Sequence, residues 1–177
     1  MYRINELLKL DRKLYHTNDL ALLWGIVNRN TLYTTIKRYV QKGVLIPVYK
    51  GLYSTVPIAE LDPLQLGISI IHRYAYLSTE TVLAQAGIVS QAVYGYTYIS
   101  DCSRKVTLDS LCFVYRQLQD RFLYNTAGIA EQEGVFIASS ERAIADMLYF
   151  NPKYHFDVLE MVDFQKVRSI QEEVGYL

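Results

Sequence analysis

The chain has 177 residues, of which 51% are hydrophobic and 13% aromatic, with 18 basic residues against 18 acidic ones. This composition excludes a disordered chain, which would combine low hydrophobicity with high net charge, and a fibrous chain rich in Gly or Pro. The two cysteines are too few for a disulfide framework and lack zinc-ligand spacing. Because the sequence contains no signal-peptide pattern and no apolar run of the roughly 20 residues that span a bilayer, we expect a cytoplasmic protein that does not contact membranes.

The balanced total charge hides two halves of opposite sign. Up to Thr55 the sequence has nine basic and three acidic residues, a net charge of +6; from Val56 onward it has nine basic and fifteen acidic residues, a net charge of −6. This asymmetry predicts two domains, residues 1–55 and residues 56–177, of which the first is suited to a polyanionic partner. The alternative is that two solvated surfaces differ in charge by chance.

The first domain is predicted to have the element order of a winged helix-turn-helix. Apolar spacing, capping residues and turn residues indicate, in chain order, a helix over residues 2–15, a helix over 20–24, a helix over 31–42, and two strands over 44–48 and 52–55. Thr17 or Asn18 is the expected N-cap of the second helix, and Asn28 or Asn30 that of the third. The two strands are expected to be joined by a tight turn at Lys50 and Gly51.

The third predicted helix has one apolar face and one face without acidic residues. Leu32, Ile36, Tyr39 and Val40 share the apolar arc, which is expected to pack against the other two helices. The opposite face is typical of a recognition helix, whose polar side chains meet base edges while its cations meet phosphates, although an ordinary solvated helix has a similar face. The predicted DNA-binding residues are Arg29, Asn30, Thr31, Tyr33, Thr34, Lys37, Arg38 and Gln41 along this helix, with Lys50 at the hairpin tip.

The second domain is predicted to be a small α+β domain with a mostly antiparallel sheet. Its expected helices begin at Pro63 after Asp62, at the N-cap Ser78 or Thr79, and at the N-cap Ser139 or Ser140, with Asn151 and Pro152 ending the last of these. Strands are expected around residues 96–98, 106–108, 111–118 and 134–138. One or two short helices near the C-terminus are expected to pack against the sheet. The tyrosines expected in the core, or alternatively in a protein-binding patch, are Tyr94, Tyr96, Tyr98 and Tyr115.

Residue patterns for catalysis are weak in this domain. The three histidines lack metal-ligand spacing, and Ser139 and Ser140 lack the GxSxG surroundings of a nucleophile. Asp157, Glu160, Asp163 and Lys166 could belong to a metal-dependent nuclease, but their spacing favours a solvated helical surface. We therefore expect a protein that is not an enzyme and has no catalytic residues, no metal and no cofactor.

Three segments carry a resemblance to a known family. They read DLALLWGIVNRNTLYTTIKRYVQKGVLIPVYKGLYS, YAYLSTETVLAQAGI and ASSERAIADMLY. In this order they resemble the AbiEi-type antitoxin and transcriptional-regulator family of bacterial type IV toxin-antitoxin systems. The family's DNA-binding helix and wing correspond to positions that in this sequence are Arg29, Asn30, Thr34, Lys37, Arg38 and Lys50.

The resemblance implies a repressor with two roles. Its N-terminal winged helix would bind inverted repeats in double-stranded operator DNA and repress its own operon. Its C-terminal domain would support repression and counter a nucleotidyltransferase toxin without forming a stable complex with it. The alternatives are an orphan regulator without antitoxin activity, a protein-interaction module that uses the Tyr-rich second domain, and a nuclease that uses Asp157.

Overall fold

The computed structural model describes residues 6, 7, 9, 10, 12–91 and 93–177, and its fold is mixed α+β. The chain divides into two compact units, Met1–Ile70 and Ile71–Leu177. The predicted domain boundary follows Thr55, whereas the first compact unit continues to Ile70. Among the described residues, no helix combines the length and the apolarity that crossing a bilayer requires.

Among its described residues, the first unit contains helical residues 6, 7 and 9 within the predicted first helix, then two longer helices and a small sheet, and it ends in a further helix. The elements are strand β1 (Leu14–His16), helix α1 (Thr17–Trp24), helix α2 (Arg29–Gln41), strand β2 (Ile46–Tyr49), strand β3 (Leu52–Ser54), a helical turn (Ile58–Glu60) and helix α3 (Pro63–Ile71). The three strands are antiparallel in the order β1-β3-β2. The predicted hairpin is confirmed, and β1 is a third strand that the sequence did not predict.

The N-terminal helix prediction is wrong at its end. Leu14 and Tyr15 were expected in a helix over residues 2–15, but they pair in β1 with Ser54 and Tyr53 of β3. The partner strand lies far along the chain, so this pairing depends on tertiary structure and cannot be predicted from local apolar spacing. Residues 1–5, 8 and 11 of the predicted helix lie outside the described residues.

Helix α1 begins earlier than predicted and has a different cap. Its N-cap is His16, so the predicted caps Thr17 and Asn18 are both helical residues. The Asp19 carboxylate accepts a hydrogen bond from the His16 backbone N–H at 2.9 Å, which satisfies a donor at the start of the helix. The predicted end is confirmed, because Gly25 has a φ of 61°, in the left-handed region that glycine adopts without strain.

An apolar cluster packs helices α1 and α2 of the first unit against each other. The expected inward face of α2 is confirmed, since Leu32 and Ile36 are buried and Tyr39 and Val40 are partly buried. The rings of Trp24 and Tyr39 lie 5.1 Å apart between α1 and α2. The other buried members of the cluster are Leu7, Tyr15, Leu20, Ile26 and Leu45. This packing orients the opposite face of α2 away from the core.

The second unit is built on a six-stranded sheet with helices. The elements are β4 (Ala75–Leu77), α4 (Thr79–Gln85), β5 (Tyr96–Ser100), β6 (Arg104–Leu108), β7 (Leu111–Gln117), α5 (Asp120–Leu123), β8 (Ile129–Gln132), β9 (Val135–Ala138), α6 (Ser140–Phe150), a helical turn (Leu159–Met161) and α7 (Phe164–Val174). The strand order is β6-β7-β5-β4-β9-β8. Pairs β4·β5, β6·β7 and β8·β9 are antiparallel, whereas β4·β9 and β5·β7 are parallel, so the sheet is mixed.

Several predicted helix caps of this part of the chain are confirmed. Asp62 Oδ1 accepts from the backbone N–H groups of Leu64 and Gln65, at 2.7 and 2.9 Å, at the start of α3. Ser139 Oγ accepts from the Arg142 N–H at 3.2 Å at the start of α6, which ends at the predicted Asn151.

Other predictions for the second unit need correction. Ser78 is the N-cap residue of α4, but its side chain makes no capping hydrogen bond, and its hydroxyl instead donates to Asp146 Oδ2 at 2.7 Å. The C-terminal α7 packs against α6. Strands β4 and β8 had no sequence signal of their own. Tyr98 and Tyr115 are buried and stack with centroids 5.6 Å apart, as expected, but Tyr94 is 88% exposed.

Candidate nucleic-acid interface

Helix α2 begins and ends at local signals that fix its orientation. Asn28 occupies the N-cap and its Oδ1 accepts from the Thr31 N–H at 3.1 Å, so of the two predicted caps it is Asn28 that starts the helix. After its last residue Gln41 the chain turns at Gly43, where φ is 68°. The helix runs for 13 residues without an acidic side chain.

The predicted contact residues lie on the solvent side of the first unit. All of them are exposed: Arg29, Asn30, Thr31, Tyr33, Thr34, Lys37, Arg38, Gln41 and Lys50. Lys42, directly after the helix, is exposed as well. The exposed surface of α2 therefore offers guanidinium, ammonium, amide and hydroxyl groups, with Tyr33 as its one aromatic ring.

Two threonines of α2 have their hydroxyl protons engaged within the helix. Thr34 Oγ1 donates to the Asn30 carbonyl at 2.8 Å, and Thr35 Oγ1 donates to the Thr31 carbonyl at 2.7 Å. Threonine hydroxyls in helices commonly bond back to the carbonyl one turn earlier. The exposed Thr34 side chain thus has its donor satisfied, which suits an apolar contact of its methyl group with a thymine methyl.

The hairpin tip is fastened to the start of α1. The backbone N–H of Thr17 donates to the Gly51 carbonyl at 2.9 Å, and the Thr17 hydroxyl lies 3.2 Å from the same oxygen. Gly51 has a φ of 73°, which the tight turn requires and which a side chain would strain. Lys50 beside it is exposed. No local pattern indicated that Thr17 holds the hairpin tip, because its partner Gly51 is 34 positions away along the chain.

The electrostatic setting of this surface is cationic. Between Arg12 and Thr55 the sequence has seven basic residues and a single acid, Asp19. That carboxylate accepts from Arg12 Nη2 at 2.5 Å, so its charge is paired. The cations of α2 and the hairpin tip are accordingly unopposed by any acid in their own segment, the condition under which a surface attracts phosphates over a Debye length.

The predicted alternative site near the C-terminus consists of residues with structural partners. Asp163 caps α7, where its Oδ1 accepts from the N–H groups of Gln165 and Lys166 at 3.1 and 3.2 Å. The hydrogen bond from the Lys166 backbone is the main reason why the pKa of Asp163 is lowered. Asp157 Oδ2 accepts from the Ser90 N–H at 2.6 Å. Within the described part of the chain no three His, Cys, Asp or Glu side chains come together as a metal site.

A buried polar cluster in the second unit was not predicted. Arg142 and Asp146 of α6 have side chains with 0% exposure, and Arg142 Nε donates to Asp146 Oδ1 at 2.8 Å. Arg142 also donates to the carbonyls of Asn125 and Ala127, at 3.1 and 2.9 Å, and to the Tyr76 hydroxyl at 2.9 Å. The sequence signal was present as an Arg and an Asp four residues apart among apolar positions, a spacing that places both on one helix face.

The ionisation of this cluster follows from its burial. Burial raises the pKa of Tyr76, and the nearby Asp146 charge raises it further. Burial and Asp146 also raise the pKa of Tyr176, whose hydroxyl donates to Asp146 Oδ1 at 2.6 Å. For Arg142, burial alone would lower the pKa, but Asp146 and both tyrosines raise it above its ordinary value. The raised pKa values keep the Tyr76 and Tyr176 hydroxyls protonated and the Arg142 guanidinium charged at neutral pH.

Comparison with known proteins gave no assignment. No protein-family model matches the chain, and no curated protein matches it.

Proposed function

We propose that the first unit is a winged helix-turn-helix that binds double-stranded DNA and that the protein is a transcriptional regulator. The observation that carries this proposal is the exposed, acid-free surface of α2, held outward by the apolar cluster of the first unit. In such an interface α2 enters the major groove, and the β2-β3 hairpin acts as the wing, with Lys50 contacting the backbone.

Different side chains of α2 are suited to different contacts with DNA. Asn30 and Gln41 can pair with adenine through their amides, and Arg38 or Lys37 can meet guanine or a phosphate. Arg29 lies in the first turn of the helix, where backbone N–H groups and the helix dipole also favour a phosphate. Sequence preference would thus come from the amides, and most of the affinity from the cations.

The test is a salt titration of DNA binding by the full chain. Fluorescence anisotropy with the upstream region of its own operon should give a slope of log affinity against log salt of about −4 to −5, if Arg29, Lys37, Arg38, Lys42 and Lys50 each neutralise one phosphate. The matched control is Lys153→Ala, which removes an exposed cation of the second unit and should leave the slope unchanged. Salt-independent binding, or equal slopes for Lys37→Ala and Lys153→Ala, would contradict the proposal.

The resemblance to the AbiEi family extends the proposal to autoregulation of a toxin-antitoxin operon. In the segment ASSERAIADMLY, which carries part of this resemblance, Arg142 and Asp146 form a buried ion pair. The test is co-expression with the neighbouring gene, provided that it resembles a nucleotidyltransferase. Rescue of growth by the chain would support antitoxin activity, whereas DNA binding without rescue would leave an orphan regulator.

Two further assays distinguish the regulator from the alternative functions. Retention of a stoichiometric protein partner without DNA retention would indicate a protein-interaction module. Cleavage of DNA with Mg²⁺ that disappears in Asp157→Ala would indicate a nuclease. Either result in place of salt-dependent binding would overturn the regulator assignment.

A further inference from the structure

A groove crosses one face of the sheet in the second unit, beside helix α4. It consists of two adjoining cavities of about 540 and 320 Å³. Both cavities are lined by Val93, Tyr94, Gly95 and Cys112, so they form one continuous groove over the start of β7. Each volume lies in the range of small-molecule sites, roughly 300–1,000 Å³.

The wall of the groove is held in place by close backbone packing. A Cβ atom at Gly95 would lie 2.8 Å from the Cys112 carbonyl oxygen, so only glycine allows the chain to pass this close to β7. Thr81 of α4 ties the helix to this segment, because its Oγ1 accepts from the Thr97 N–H at 2.7 Å and lies 3.2 Å from the Gly95 carbonyl oxygen. The groove is therefore preformed rather than created by a mobile lid.

One end of the groove is cationic, and the rest combines apolar side chains such as Val93 and Leu111 with uncharged polar ones such as Gln85 and Ser110. Lys105 of β6 lies opposite Val114 of β7, and both line the smaller cavity together with Arg116. Arg116 pairs with Glu80 and lies over the Phe150 ring, with its guanidinium carbon 5.5 Å from the ring centroid.

Lys105 and Tyr154 are the groups at this end that remain available to a ligand. Lys105 is exposed and makes no salt bridge with a described residue. Tyr154 also lines the cavity, and burial raises the pKa of its hydroxyl, which is protonated at neutral pH. Because Arg116 neutralises Glu80, the free Lys105 leaves the lining with a net positive charge.

We propose that this groove binds a small organic anion with a flat apolar body. The anionic group, a carboxylate, phosphate or sulfonate, would lie between Lys105 and Tyr154, beside the Arg116–Glu80 pair. The apolar body would lie along Val93, Val114 and Tyr94 toward the larger cavity. This site belongs entirely to the second unit, so the inference does not depend on DNA binding by the first.

The first test uses 1-anilinonaphthalene-8-sulfonate, an aromatic sulfonate whose fluorescence rises in apolar sites, with the full chain. We expect saturable binding at one site per chain. Lys105→Ala should weaken it about five-fold, the loss of about 1 kcal/mol of charge interaction. The control is Arg104→Ala, the adjacent exposed cation of β6, whose side chain alternates to the other face of the sheet. Equal affinity of the two variants, or binding that does not saturate, would refute the proposal.

The second test locates the probe by thiol protection. Cys112 lines both cavities, whereas Cys102 lines neither, and both thiols are free. In a Cys102→Ser variant the bound sulfonate should slow the reaction of Cys112 with a disulfide reagent, and in a Cys112→Ser variant it should leave Cys102 unaffected. Equal effects on the two thiols would place the probe elsewhere. N-phenyl-1-naphthylamine, which lacks the sulfonate, should bind more weakly. Equal affinity of the two probes would show that the groove does not recognise an anionic group.

Discussion

Thr17 and Gly51 join the start of α1 to the tip of the hairpin, with the backbone N–H of Thr17 donating to the Gly51 carbonyl at 2.9 Å and its hydroxyl 3.2 Å from the same oxygen. Lys50, the residue proposed to contact DNA from the wing, immediately precedes this carbonyl. The hydroxyl is therefore in a position to limit the motion of Lys50 without touching DNA itself.

Thr17→Val removes the hydroxyl and keeps the side-chain shape. We expect weaker binding to operator DNA than in the parent chain, by less than the effect of Lys50→Ala, because the backbone hydrogen bond remains. The two substitutions should be non-additive in a double-mutant cycle measured by anisotropy, as they act through the same turn. Thr107→Val, an exposed threonine of β6, is the control. Full additivity would show that Thr17 does not position the tip.

Lys37→Ala and Asn30→Ala should differ in how they affect sequence preference. Removal of the Lys37 charge should weaken binding to operator and to scrambled duplexes alike and reduce the salt slope by about 1. Removal of the Asn30 amide should weaken operator binding by about 1–3 kcal/mol and affect scrambled duplexes little. Paired titrations on both duplexes measure this difference. The same loss on both duplexes for Asn30→Ala would exclude a base contact.

Asn28→Ala should destabilise the first unit through its recognition helix. The substitution leaves the Thr31 N–H without its side-chain acceptor at the N-terminus of α2, at a cost of about 1 kcal/mol. Asn28→Asp should restore the free energy of unfolding, since an aspartate also accepts this bond. Urea unfolding measures the change. Asn30→Ala, on the exposed face of the same helix, should change the stability far less.

Arg142→Met should be the most destabilising of these substitutions. It leaves the Asp146 carboxylate buried without its cation, at a cost of about 3–5 kcal/mol. Arg142→Met combined with Asp146→Leu should recover part of that loss, because no buried charge remains unpaired. Arg168→Met is the matched control, since Arg168 and Glu172 form an exposed pair of the same spacing on α7. Arg168→Met should change the free energy of unfolding, measured with urea, by no more than about 0.5 kcal/mol.

Alkaline pH should weaken the second unit through its buried tyrosines. The pKa values of Tyr76 and Tyr176 are raised in the folded protein, so these hydroxyls stay protonated where unfolded tyrosines ionise, above about pH 10. Their contribution to stability is complete below that pH and is lost as the pH rises toward the folded pKa values. Between about pH 9 and 11, the free energy of unfolding measured with urea should fall more steeply with pH for the parent chain than for Tyr176→Phe. Tyr33→Phe, on an exposed ring, should keep the parent slope.

Local signals predicted the elements whose ends are set by nearby residues. Asp62, predicted as a cap, and Asn28 and Ser139, each one of two predicted caps, accept hydrogen bonds from N–H groups within three residues of themselves. These caps could be predicted because capping depends on the residue type and its position. The apolar arc of α2 was readable for the same reason. Strand β1 was not, since Leu14 and Tyr15 pair with a strand that lies nearly 40 positions away.

By itself the sequence determined the mixed α+β class, the charge division, two candidate caps for the start of α2, the approximate end of this helix and the residues on its outer face. Caps and 3.6-residue periodicity act within one or two turns, so these features can be predicted locally. Only the tertiary structure decided that Thr17 holds the hairpin tip, that Arg142 and Asp146 are bonded inside the second unit, and that Lys105, Arg116 and Tyr154 share one groove. These relationships join residues through sheet pairing and burial, and neither the register of a strand nor the neighbours of a buried charge can be read from spacing along the chain.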